Sequence, residues 1–314
     1  MIELIGVPFD LTGKWQGSRL GPDALRLAGI ADTLRGMGER VTDLGDLTRY
    51  REETVEGGIR NFRPLAACVT ALRKVVKTSL ENDAMPIIMG GEHAVSLGGI
   101  AAALDHFKDV ALLWIDAHAD MNVPATSPSG NLHGMPLAAL WGLASGVEGI
   151  RHAQWQQLLE IVGPTRLKPE CTAWFGLREV DPGERPHVIA PSPAFAVAMD
   201  HIDRHGVEAS LDRFDDWMRA QGCKNLWVSF DCDALDPILA PGTGTTVRGG
   251  LTYREGHLLA ELLREKLDKP DCPYALVGLD LMEVNPIRDT TNMTAAVTVE
   301  WAASVFGKTI SGKR

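Results

Sequence analysis

The chain has 314 residues, of which 45% are hydrophobic and 23% charged, a composition that excludes intrinsic disorder and supplies enough apolar mass for a large core. Lysine and arginine number 31 against 41 aspartates and glutamates, and a formal charge of −10 argues against nucleic acid as a partner and for solubility. No apolar run approaches the ~18 residues of a membrane span, and the five cysteines lie far apart with no C-x-x-C, as expected for reduced thiols.

The chain enters directly on the apolar run Ile2–Pro8, the first expected strand, with no basic leader before it; a soluble cytoplasmic protein is expected. Helical periodicity follows over Pro22–Leu34 and Arg60–Leu80. Next come a strand at Met85–Met89, a helix at Val95–His106 and a strand at Val110–Ile115. A loop over Met121–Leu132 precedes strands at Thr172–Leu177 and Phe195–Ala198. The alternation ends with helix Val207–Ala220, strand Leu226–Phe230, a Gly/Pro/Thr-rich loop over Asp236–Gly250, helix Arg254–Leu267 and strand Tyr274–Leu279. These strands are apolar on both faces, which predicts a parallel sheet covered on both sides by helices with right-handed crossovers, an α/β fold. No repeat or linker divides the chain, so one domain is expected over 1–314. In such sheets chemistry gathers at the carboxyl ends of the strands.

Three of those ends carry ligand-type side chains. Gly90-Gly91-Glu92-His93 follows Met85–Met89, and its two glycines let the backbone turn and present His93. Asp116-Ala117-His118-Ala119-Asp120 follows Val110–Ile115; if the extended conformation continues, Asp116, His118 and Asp120 project together. Asp231-Cys232-Asp233 follows Leu226–Phe230 with the same spacing. Taken singly, His93 reads as a packing residue and an Asp-x-Asp as a loop or helix cap. Taken together at one sheet edge, the carboxylates would repel without a cation, which predicts metal. Two histidines with four aspartates make a set too rich in oxygen for a structural zinc site. Sharing them between two ions leaves room for a bridging water or hydroxide, and suits Mn²⁺ with Zn²⁺, Co²⁺ or Ni²⁺ as competitors; hydrolysis is the matching reaction class.

Gly-Gly-Glu-His at 90–93, Asp-Ala-His-Ala-Asp-Met-Asn at 116–122 and Ser-Phe-Asp-Cys-Asp-Ala-Leu-Asp-Pro at 229–237 resemble the three signatures of the ureohydrolases. That family comprises arginases, agmatinases, formiminoglutamases and relatives, which act on guanidino or formimino groups at a di-manganese centre. The resemblance runs from Ile5-Gly6-Val7-Pro8 through Met282-Glu283-Val284-Asn285-Pro286. It implies one α/β domain with a parallel sheet of about eight strands between helix layers. It also implies two Mn²⁺ per chain held by His93, Asp116, His118, Asp120, Asp231 and Asp233.

Ser129-Gly130-Asn131-Leu132-His133-Gly134 is similar to the loop that reads the amino-acid end of the substrate in the arginase branch. Asn122 and Ser129 match positions that hold an α-carboxylate there. Gly176-Leu177-Arg178-Glu179-Val180-Asp181-Pro182-Gly183-Glu184 is similar to the segment whose two acids hold the α-ammonium, here Asp181 and Glu184. The resemblance thus implies hydrolysis of L-arginine to L-ornithine and urea through a metal-bridging hydroxide. In that scheme Glu283 pairs with the guanidinium, Asp120 carries a proton to the leaving amine, His133 shuttles protons to solvent and Thr245 lines the pocket. N-hydroxyarginine, agmatine or guanidinobutyrate are the alternative substrates, and a non-catalytic metal-binding protein is the alternative of another class. Trimers or hexamers of identical chains are implied, with no membrane and no nucleic acid. Four positions depart from the pattern: Glu92 replaces an Asp, Ala234 a Gly, and Thr246 and Arg248 residues that are usually proline and apolar. Arg248 is expected to add a cation at the side of the pocket.

Overall fold

Eight parallel strands make one sheet in the computed structural model of the chain, which describes residues 1–189 and 191–313. They are β1 (Ile2–Val7), β2 (Val41–Asp46), β3 (Met85–Gly90), β4 (Val110–Ile115), β5 (Thr172–Leu177), β6 (Phe195–Ala198), β7 (Asn225–Asp231) and β8 (Ala275–Met282). Across the sheet their order is β2-β1-β3-β8-β7-β4-β5-β6, so the last of these eight in sequence lies in the middle. This is the single-domain α/β architecture expected. The helices are α1 (Gly21–Leu27), α2 (Ile30–Gly36), α3 (Phe62–Glu81), α4 (Ser96–His106), α5 (Pro136–Trp141), α6 (Gly149–Val162), α7 (Arg185–Val188), α8 (Met199–Gln221), α9 (Tyr253–Leu267) and α10 (Met293–Val305).

Side-chain alternation along β7 explains why both faces need cover. The Trp227 ring packs toward α4, where Gly99 lies against it, and toward β8, where a Cβ on Gly278 would come within 2.2 Å of the ring. Three residues later Phe230 points to the opposite face and stacks on Trp301 of α10, with centroids 4.0 Å apart. Helices α3 to α6 pack on one another, and α8, α9 and α10 form a second packed group joined by α1 and α2. Every residue of β4 and β5 is buried, which is why both read as uninterrupted apolar runs. Each fully buried large apolar side chain contributes about 1.5–3 kcal/mol, and Trp114, Trp174 and Trp227 are all in this category.

The differences from expectation have local causes. Strand β2 was not expected, because Val41-Thr42-Asp43-Leu44-Gly45-Asp46 is polar; it is an edge strand, mostly open to solvent. The helix expected over Pro22–Leu34 is two helices, broken at Gly29, which takes φ 84°. Helix α8 starts eight residues before the expected Val207 and kinks at Gly206 (φ 80°, ψ 168°). Helices α6 and α10 were also not expected. Among the described residues no helix is long and apolar enough to cross a membrane.

Candidate metal centre and adjoining pocket

The sheet order sets the carboxyl ends of β3, β8, β7 and β4 side by side. After β3 the turn passes so close to Phe9 that a Cβ at Gly91 would overlap its carbonyl oxygen. That turn delivers His93, whose ring stacks on Trp114 of β4 with centroids 3.7 Å apart and planes 10° apart. Its Nε2 lies 2.9 Å from Ser229 Oγ. The other nitrogen, Nδ1, faces Asp116 Oδ2 at 3.0 Å, Asp231 Oδ2 at 3.2 Å and Asp120 Oδ2 at 3.5 Å. Despite full burial, Nδ1 makes no hydrogen bond. A buried nitrogen aimed at three carboxylates without bonding any of them fits a cation shared among all four.

His118 builds the second half. Its Nδ1 lies 3.3 Å from Asp116 Oδ1 and 3.2 Å from Asp233 Oδ2. His93, Asp116 and Asp231 therefore form one candidate ligand group, and Asp116, His118 and Asp233 another, with Asp116 in both. The chain does not stay extended from Asp116 to Asp120 as expected. It bends at Asp116 and Ala117, bridges Glu179 through His118, and turns left-handed at Asp120 (φ 50°), which brings the Asp120 carboxylate to the His93 side.

Neighbouring donors fix these carboxylates. Trp114 Nε1 donates to Asp116 Oδ2 at 3.0 Å, and the Asp233 amide donates to Asp231 Oδ1 at 2.8 Å. Thr245 Oγ1 donates to Asp233 Oδ2 at 3.0 Å and the Ala117 amide to Oδ1 at 3.2 Å. Burial and the charge of their neighbours push Asp120, Asp231 and Asp233 above the ordinary carboxylate range. Burial also pushes Asp116 up, but the neighbouring His118 and His93 rings outweigh it and hold Asp116 low. The cluster thus carries more negative charge than its own groups neutralise, the condition a divalent cation relieves.

A cavity of about 260 Å³ opens over this cluster, lined by His93, His118, Asp120 and Asp231 on its floor. Asn122, Ser129, Asp181 and Glu184 line it as well, with Thr245, His133 and Glu283. Asn122 Nδ2 donates to Asp181 Oδ2 at 2.8 Å, joining two loops into one wall. Glu184 uses each carboxylate oxygen on a backbone amide, of Met121 and of Asp181, both at 2.8 Å, so in this arrangement it braces the wall while Asp181 carries the freer acid. Ser129 Oγ accepts from the Asn131 amide at 3.2 Å. Glu283, left-handed at φ 62°, follows β8 directly; its Oε1 accepts from the His93 amide at 2.9 Å and lies 3.8 Å from His133 Nδ1. Burial pushes His133 down, but Glu283 and Glu92 outweigh it and hold it above its ordinary value.

Of the departures, Glu92 is buried against Thr12 and Gly13, whose amides donate to it at 2.7 to 3.1 Å, and burial pushes it up to about 7. Arg248 does not serve the pocket as expected: among the described residues it is exposed and outside the cavity lining. One residue of the site was quoted in the sequence without a role. The Arg178 guanidinium reaches the carbonyls of Gly176, Asp233, Ala234, Leu235 and Val247, tying the loops after β5 and β7 to the 236–250 loop. An arginine just past a strand end is the only trace of this in sequence, and its acceptors are backbone atoms that sequence does not mark. Ser229 and Trp114, which orient His93, were likewise hidden inside an apolar run.

The Arginase family model matches residues 1–307. The arginase of Staphylococcus aureus (strain MRSA252) is 35% identical over 316 residues, and that of Bacillus subtilis (strain 168) 36% over 308, each alignment covering 98% of both chains. The native structure of the Bacillus caldovelox arginase at pH 5.6 superposes with a TM-score of 0.88 at 34% identity, over 98% of this chain and 99% of that one.

Proposed function

This chain belongs to the arginase family and is an arginase-type hydrolase of linear amidines, and from that premise we propose that it converts L-arginine and water to L-ornithine and urea with two manganese ions per chain. One observation carries the reading: a single cavity is lined both by the His/Asp cluster and by the Asn122–Asp181 wall. His93, Asp116, Asp120 and Asp231 would hold one ion, and Asp116, His118 and Asp233 the other. When bound, such a pair supplies a nucleophilic water at neutral pH and offsets the charge that builds up in the transition state.

The chain's own groups do the rest. Asp181 takes the α-ammonium of the substrate, Asn122 and Ser129 the α-carboxylate, and Glu184 keeps the wall in place. Glu283 pairs with the guanidinium and turns its carbon toward the cluster. Asp120 accepts the proton of the attacking water and passes it to the leaving amine. His133, beside Glu283 and open to the cavity, exchanges that proton with solvent. Thr245 lines the pocket and holds Asp233. The protein is further proposed to act in the cytoplasm as one domain spanning 1–314 and to assemble as a homo-oligomer, trimer or hexamer.

Urea release from L-arginine, N-hydroxyarginine, agmatine and 4-guanidinobutyrate tests the assignment. A site built to bond polar groups rejects analogues that lack them by factors up to ~10⁴, so kcat/KM for L-arginine should exceed that for agmatine by at least ~10². Asp181→Ala should weaken L-arginine selectively. Agmatine turned over equally well would remove L-arginine as the substrate while leaving the amidine hydrolase.

A further inference from the structure

At the opposite end of the sheet from the cluster, two cysteines far apart in sequence meet. Cys171 closes the turn Pro169–Cys171 that feeds β5, and Cys223 follows α8 and precedes β7. Since β4 lies between β5 and β7, the two side chains meet across its start. The Cys223 thiol donates to Cys171 Sγ at 3.0 Å, and both residues are buried as free cysteines. A disulfide needs a sulfur separation of about 2.04 Å, so closure asks for a movement of about 1 Å. The remaining cysteines are placed differently: Cys68 and Cys232 are buried elsewhere, and Cys272 donates to the Tyr274 carbonyl at 3.1 Å.

We propose that Cys171 and Cys223 are an oxidation site that takes a peroxide and closes to an intramolecular disulfide, stapling β5 to β7 across β4. Cys171 is the more exposed of the two, at 8% against 2%, and so meets the oxidant first. The hydrogen bond from Cys223 also holds the Cys171 thiol below its ordinary pKa, which raises its thiolate fraction. The Cys171 sulfur attacks one peroxide oxygen: the S–O bond forms, the O–O bond breaks, and the departing hydroxide is protonated to water. The Cys223 sulfur then attacks the resulting sulfenic acid: the S–S bond forms, the S–O bond breaks, and a second water leaves with the thiol proton. Two thiols and one hydrogen peroxide give one disulfide and two waters; the sulfurs lose two electrons and the peroxide gains them. All the proposed metal ligands lie at the opposite, carboxyl edge of the sheet, so turnover should be preserved.

The test uses the full-length, manganese-loaded protein treated with equimolar hydrogen peroxide, alkylated and mapped without reduction. The expected product is one linked peptide pair, Cys171 with Cys223, removed by a phosphine reductant. Closing a loop of about 50 residues in a chain of this size should raise Tm by about 6 °C, with the rise lost on reduction. Cys223→Ser should give neither the linked pair nor the rise, while its Cys171 is trapped by dimedone as a sulfenic acid. A Cys171 still fully alkylatable after peroxide, a link to another cysteine, or a linked protein with unchanged Tm would each overturn the proposal.

Discussion

Asp116 is the carboxylate that both candidate ion positions share, since its two oxygens face His93 and His118 respectively. Asp116→Asn should therefore cost both ions, whereas Asp231→Asn and Asp233→Asn should cost one each. An ion supplied at a hundred times its dissociation constant stabilises the fold by about 2.7 kcal/mol, so two contribute about 5.4 kcal/mol. With an unfolding entropy of about 2.1 cal/mol/K per residue, a chain of 314 residues loses about 0.66 kcal/mol of stability per degree near Tm. Manganese should then raise the Tm of the unaltered protein by about 8 °C, that of the Asp231 and Asp233 variants by about 4 °C, and that of the Asp116 variant not at all. The readout is the increment within each variant, because removing one of several repelling buried carboxylates also moves the metal-free baseline. Manganese per chain, measured by mass spectrometry after desalting, should follow the order two, one, one and none. An Asp116→Asn protein that retains one ion, or the same increment as Asp231→Asn, would show that the carboxylate is not shared.

His133→Asn should lower turnover by about 10² to 10⁴ with the manganese content intact, and added imidazole should restore part of it; an unchanged rate would reduce His133 to a loop residue. Arg178→Lys keeps the charge but loses the planar fork, and a loss of about 1.5 kcal/mol of charged hydrogen bonding should lower Tm by about 2 °C; a thermal melt equal to that of the parent would refute the clamp. His257 is buried, with Nδ1 2.9 Å from Ser304 Oγ and Nε2 unpartnered, and burial holds its pKa below the ordinary value. The unfolded chain therefore binds more protons than the native one below about pH 6.5, so stability falls as pH drops from there. His257→Gln should show a smaller loss of urea midpoint between pH 7.5 and 5.5 in metal-stripped protein, and an equal loss would move the titration to another group.

What could be read in the sequence follows from where each residue's partners lie. Strands β3, β4, β5 and β7 were legible because these strands are apolar nearly throughout, and the ends of β3, β4 and β7 also carry ligand-type side chains. Strand β2 was not, since an edge strand lacks cover and so lacks the apolar signature. Helix α10 hid for the opposite reason: it is buried almost all round, so its apolar residues form no stripe. The candidate ligands were legible as residue types, but their grouping was not. That Asp116 faces both histidines depends on the sheet order, which gathers the carboxyl ends of β3 and β4 at one edge, and on the bend at Asp116 and Ala117. Glu184 shows the same limit, for the two backbone amides that its carboxylate accepts from are not marked in the sequence.

The placement of β8 bears on how the molecule is made. It pairs with β3 on one side and β7 on the other, and among the described residues no other strand joins those two. Until about residue 282 has left the ribosome, the nascent chain can hold only two partial sheets, β2-β1-β3 and β7-β4-β5-β6, each with a bare inner edge. His93 belongs to the first piece and Asp116 and Asp231 to the second. The His93 group is therefore completed only when almost the whole chain has been synthesised, and chains truncated before β8 carry two sticky edges and a divided ligand set.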